Sequence, residues 1–86
     1  MYKAVFYKQA ARYYEKLDAR IKRRINRAMQ EITNNPLEGT HIKKLKGRLE
    51  GKYRYHLGDI RIIYFVSVDE KTIYIDAIGL RGDVYK

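Results

Sequence analysis

Residues 51–64, GKYRYHLGDIRIIY, decide the fold. The stretch divides at Gly58-Asp59, a two-residue turn in which glycine supplies the positive φ that the first position of a type II′ hairpin needs. Counting outward from that turn sets Leu57 opposite Ile60, His56 opposite Arg61, Tyr55 opposite Ile62 and Arg54 opposite Ile63. Side chains alternate between the two faces of a strand. Tyr53, Tyr55, Leu57, Ile60, Ile62 and Tyr64 therefore share an apolar face, and Arg54, His56 and Arg61 share the other. The first face needs a core to cover it. The second is a candidate surface for an anion.

Moving outward toward the N-terminus, residues 36–51 show little periodicity and hold Lys43, Lys44, Lys46 and Arg48, so they read as a long basic connection. Before them the apolar residues Ile21, Ile25, Ala28, Met29 and Ile32 recur at helical spacing, with Lys22, Arg23, Arg24, Asn26 and Arg27 on the other side. Asp18 is placed to cap this helix, and Asn34-Asn35-Pro36 to end it, with asparagine suited to a left-handed cap. Ala10, Tyr13, Tyr14 and Leu17 give a shorter helical stripe from Gln9 onward, so the two helices are expected as a hairpin. Residues 2–7 alternate as a strand does.

Toward the C-terminus, residues 60–68 form the longest apolar strand, expected at the centre of the sheet, and 72–80 the last strand. A three-residue turn at Asp69-Glu70-Lys71 would set Arg61 opposite Gly79 and bring Arg81 to the face of His56, at the cost of turning Asp76 toward the helices. A four-residue turn would turn Arg81 the other way. The expected whole is one α+β domain over residues 1–86, of order β-α-α-β-β-β, with an antiparallel sheet packed on a helical hairpin.

Composition narrows the function. With 19 Lys+Arg against 10 Asp+Glu, the net charge of +9 calls for an acidic partner: nucleic acid, an anionic membrane surface or an acidic protein. The absence of Cys excludes a disulfide framework and thiolate metal sites. No apolar run is long enough to span a membrane, and the N-terminus lacks a signal-peptide core, so a cytoplasmic protein is expected.

The segment KLKGRLEGKYRYHLGDIRIIY, followed by IGLRGDVYK, resembles the RelE/ParE superfamily of type II toxins over nearly the whole chain. That resemblance implies a RelE-like fold and, on the RelE branch, cleavage of messenger RNA in the ribosomal A site, with ribosomal RNA as a further contact. The ParE branch acts instead on DNA gyrase. Either branch implies an acidic, RelB-like antitoxin as partner. The resemblance puts the active-site positions on Arg54, His56, Arg61, Arg81 and Tyr85, with His56 where well-known members carry a lysine base, and RNA contacts on Lys44, Lys46, Arg48 and Lys52. It implies neither metal nor cofactor. Imidazole is the side chain that titrates nearest neutrality, which suits a base, and guanidinium presents a planar fork to phosphate. Tyr85 could stack on a base. A non-catalytic basic RNA-binding module is the remaining reading of the same charge.

Overall fold

The computed structural model describes residues 1–82 and Val84. Strand β1 (Lys3–Phe6) leads into helices α1 (Lys8–Glu15) and α2 (Ala19–Asn34), followed by strands β2 (Ile42–Lys44), β3 (Tyr53–Leu57), β4 (Ile60–Ser67) and β5 (Thr72–Leu80). The sheet order is β1-β5-β4-β3-β2, so β4 is central as its apolar run predicts. The last four strands pair antiparallel among themselves. β1, whose place has no local signature, lies parallel to β5 at the edge, Lys3 beside Thr72.

The hairpin of β3 and β4 has the register counted from Gly58-Asp59, with Leu57 on Ile60 and His56 on Arg61. Gly58 has φ 60° and Asp59 is not left-handed, as a type II′ turn requires. Residues 36–51 are not a plain loop. Ile42 buries its side chain toward the core while Lys43 and Lys44 keep theirs in water, and these three form edge strand β2 on Tyr53–Tyr55. A 3₁₀ turn at Gly47–Leu49 then returns the chain to β3.

The link between β4 and β5 combines features of both expected registers. Ser67 faces Thr72, so the connection is four residues long, with Lys71 left-handed at φ 53°. A bulge then inserts Asp76: Ile63 faces Ala77 while Tyr64 faces Ile75. The extra residue restores the parity that the longer turn removed, and Arg61 faces Gly79 after all. Asp76 does not turn toward the helices. It pairs with Lys52 at 2.6 Å, and Lys52 shares its parity with Arg54 and His56, so the ion pair lies on the open face.

On the covered face, Ala10 of α1 and Ile25, Ala28 and Ile32 of α2 bury themselves against Tyr55, Ile60, Ile62, Tyr64, Ile73, Ile75 and Ile78. Asp18 caps α2 through Oδ1, which accepts from the Ile21 N–H at 3.0 Å. At the other end Asn35 is extended (φ −152°), not left-handed, because the chain turns directly into buried Pro36, whose carbonyl accepts from the Tyr64 hydroxyl at 2.7 Å. The two helices meet through Tyr14, which donates to Asn26 Oδ1 at 2.9 Å and lies beneath the Lys22 ammonium. Beyond the end of β1, the Gln9 amide continues the ladder on β5, donating to the Ile78 carbonyl and accepting from its N–H, both at 2.9 Å.

Candidate active site

The open face of the sheet is built by alternation alone, and three of the expected residues meet there. His56 and Arg61 stand directly across from each other on β3 and β4. The His56 N–H points outward to the His41 carbonyl at 2.9 Å, which makes His56–Arg61 a non-hydrogen-bonded pair, the kind whose side chains lie closest. Arg54 sits one pleat along β3, with Lys43 of β2 on its other side. The His56 ring is exposed and Arg54 half-buried. Among the described residues the imidazole makes no ion pair with a carboxylate.

Arg61 is more constrained than a free phosphate clamp. It is 8% exposed, and its Nη1 donates to the Gly58 carbonyl at 2.6 Å and the Ile60 carbonyl at 3.2 Å. The guanidinium therefore locks the hairpin turn and keeps its plane fixed beside His56. Among the described residues its Nε and Nη2 hydrogens make no hydrogen bond, which leaves them for an anion. Arg81 is exposed and continues the ladder just past β5, its N–H donating to the Asp59 carbonyl at 2.9 Å. That register position is on the open face, at the turn end near His56 and Arg61. Tyr85 lies outside the described residues.

The four expected RNA contacts do not form one cluster. Lys44 is exposed on edge strand β2, and Lys46 and Arg48 are exposed at the 3₁₀ turn. Lys52 is half-buried and held by Asp76, so its charge is largely balanced. His41, unremarkable in the sequence, supports the site through its carbonyl and tilts its ring toward Tyr55 at 5.5 Å.

Sequence reasoning missed an aromatic group on the same face. Phe65 stacks on Tyr74 at 5.0 Å, and Tyr7 meets both at about 6 Å. Parity along β4 and β5 could have grouped Phe65 with Tyr74, but adding Tyr7 required the pairing of β1. A hydrogen bond to Glu70, 2.7 Å long, holds the Tyr74 phenol above its ordinary pKa.

Chemically, the face offers one exposed imidazole beside the fixed guanidinium of Arg61, with Arg54 one pleat along, an arrangement able to accept a proton next to a bound phosphate. No curated protein matches the sequence. Solved structures do. A chain of the archaeal RelE–RelB complex from Pyrococcus horikoshii is 29% identical, with a TM-score of 0.79, over 94% of this chain and 96% of that one. A chain of the RelBE2 toxin–antitoxin complex from Mycobacterium tuberculosis is 26% identical, with a TM-score of 0.78, over 93% and 98%. A chain of the YoeB–YefM complex from Staphylococcus aureus is 28% identical, with a TM-score of 0.72, over 90% and 93%. The sequence model of the ParE toxin of type II toxin–antitoxin systems matches residues 4–85, so the chain belongs to that toxin family, within the RelE/ParE superfamily.

Proposed function

We propose that this toxin is a metal-independent endoribonuclease that cuts messenger RNA on the ribosome and so stops translation. The observation that carries the reading is the exposed His56 set directly across from Arg61, with Arg54 on the same face. In the proposed step His56 takes the proton from a ribose 2′-OH, and the 2′-oxygen attacks the adjacent phosphorus. The bond from phosphorus to the 5′-oxygen breaks, leaving a 2′,3′-cyclic phosphate on one fragment. The departing 5′-oxygen takes a proton from Arg81, Tyr85 or water. Arg54 and Arg61 balance the charge that builds on the non-bridging oxygens. Lys44, Lys46 and Arg48 would hold the flanking backbone, and Tyr85 a base.

The test is single-turnover cleavage of ribosome-bound message, with cut sites mapped at the new 5′ ends. His56→Ala should lower the rate at least about a hundredfold, as removal of a general base does. The comparison is with the wild-type protein under the same conditions. Equal rates for the two proteins would remove His56 from the chemistry.

The name of the matching family favours a second reading, inhibition of DNA gyrase. Double-strand breaks that need gyrase, with messages left whole, would establish it in place of the first.

We also propose a cytoplasmic protein held in check by an acidic antitoxin. The similar chains come from toxin–antitoxin complexes, and a charge of +9 favours an acidic segment that folds as it binds. Co-expression with the adjacent small gene should give a complex that survives gel filtration at low salt. Two separate peaks would count against it.

A further inference from the structure

The open face continues past Arg54, away from the hairpin turn. Next along it stand the Lys52–Asp76 pair and then the aromatic group of Tyr7, Phe65 and Tyr74. Lys52 precedes Tyr53, which faces Tyr64, so Lys52 comes level with Phe65 on β4. Asp76 enters at the bulge between Ile75 and Ala77, and the Tyr7 N–H donates to the Ile75 carbonyl at 2.9 Å. The ion pair therefore borders the aromatic group on the side that leads to the candidate active site.

Cross-strand packing accounts for the stack of Phe65 on Tyr74. It does not account for a carboxylate that a bulge brings onto a face otherwise cationic near the site. A carboxylate repels a phosphate backbone, but it suits the edge of a nucleobase that carries N–H donors. Lys52 and Asp76 are 32% and 28% exposed, so both can be reached from solvent. The bond between them, 2.6 Å long, uses Asp76 Oδ2 and one ammonium hydrogen. Oδ1 is left to accept, and two ammonium hydrogens are left to donate. Beside the pair, Phe65 and Tyr74 lie 19° from parallel, and Tyr7 meets Phe65 edge-on. The Tyr74 hydroxyl is fixed by Glu70 at 2.7 Å. Aromatic rings held in this way are what an unpaired base stacks on.

We propose that Tyr7, Phe65, Tyr74, Asp76 and Lys52 form a guanine-reading subsite for single-stranded RNA. The assignment rests on the ribonuclease reading above. The base stacks on the aromatic group, Asp76 accepts from its N1–H and 2-amino group, and Lys52 donates to O6. Two donors followed by an acceptor is the pairing edge of guanine. Adenine and cytosine bring one donor each, and uracil flanks its single N–H with acceptors that meet the carboxylate. Phe65 lies four residues from Arg61 along β4, about 13 Å away. Even at the helical rise of roughly 3.4 Å per nucleotide, the base read here lies within about four nucleotides of the bond to be cut.

The test is binding in a His56→Ala background, where the RNA stays whole. Failure of the cleavage reading is seen separately, in the ribosome assay above, and leaves the base preference to stand or fall alone. The probes are uridine hexanucleotides with a single central guanine, inosine or adenine, and hexauridine itself, titrated by NMR at about 50 mM salt. The guanine strand should bind at least about tenfold more tightly than hexauridine, and inosine, which lacks the 2-amino group, should fall between them. Asp76→Asn should bring the ratio of guanine to uridine within about twofold, while Asp76→Glu, which keeps the carboxylate, should preserve part of it. Tyr7→Leu should weaken the guanine strand at least about fivefold. Each variant should melt as cooperatively as the parent. The proposal fails if the guanine and uridine strands bind alike or if no strand binds. It fails if Asp76→Asn weakens every strand equally and keeps the ratio, which would make the Lys52–Asp76 pair a purely structural link. It fails too if a hexalysine peptide binds through Asp76 more tightly than the guanine strand does, which would assign the patch to a cationic protein segment.

Discussion

Tyr64 shows how one residue ties the loop after α2 to the centre of the sheet. Its ring is fully buried, stacks on Tyr53 at 5.6 Å, and its hydroxyl holds the Pro36 carbonyl. Burial, with a smaller contribution from Tyr53, pushes the phenol well above its ordinary pKa. The folded chain thus keeps a proton that an unfolded chain releases at about pH 10. Its contribution to stability is complete below that pH and drains away above it. Tyr64→Phe keeps the ring but leaves the Pro36 carbonyl without its donor, a loss of about 1 kcal/mol at neutral pH. In denaturant titrations the variant should be the weaker protein at pH 7, and the gap should close or reverse above about pH 10. A gap that stays constant with pH would show that Tyr64 ionises without unfolding.

At the scale of elements, the bulge in β5 decides which side chains reach the core. The four-residue connection and the extra residue Asp76 each shift parity by one, and together they leave Ile73, Ile75 and Ile78 all inward. Removing Asp76 therefore leaves a regular ladder with the same inward set. The deletion variant should fold cooperatively, destabilised by about 2–3 kcal/mol through loss of the two Gln9–Ile78 hydrogen bonds and the Lys52 ion pair. Deleting Tyr74 instead breaks the alternation between Ile73 and Ile75 and should leave no cooperative melt, monitored by near-UV circular dichroism. If the Asp76 deletion fails as badly as the Tyr74 deletion, parity is not what the bulge supplies. The same pair of compensating shifts explains why the sequence left this register open. Period-two patterning reports parity, and two changes of parity cancel. The hairpin at Gly58-Asp59, the Asp18 cap and the amphipathic stripe of α2 were legible because each rests on neighbours a few residues apart. The parallel pairing of β1 was not, since its partner lies at the far end of the chain, and the three-residue strand β2 is too short to show a period. Of the site, alternation yielded the shared face of Arg54, His56 and Arg61. The Arg61 contact with Gly58 and the Lys52–Asp76 pair depend on side-chain reach, which spacing does not encode.

For the molecule as a whole, charge is the dominant feature. Nineteen basic and 10 acidic side chains occupy a body with a radius of gyration of 11.9 Å. At about 0.01 M ionic strength the screening length is roughly 30 Å, so every charge feels every other, whereas at 0.15 M it falls to about 8 Å and distant pairs are silent. Repulsion among like charges destabilises the compact state more than the open chain, because unfolding moves the charges apart. Thermal unfolding in sodium chloride should therefore shift upward between these two conditions. Each 1 kcal/mol of relieved repulsion corresponds to about 4–8 °C for a chain of this size. Arg20→Gln, Arg23→Gln and Arg27→Gln on α2, which together lower the charge from +9 to +6, provide the internal check. Repulsion grows with the square of net charge, so the salt-induced rise should shrink to about (6/9)² or roughly 0.44 of the parent value. A larger fall would mean that the arginines repel one another locally along α2, beyond their share of net charge. A melting temperature independent of salt would show that the basic surface carries no stability penalty, and would remove the energetic argument that its charges are kept for a partner.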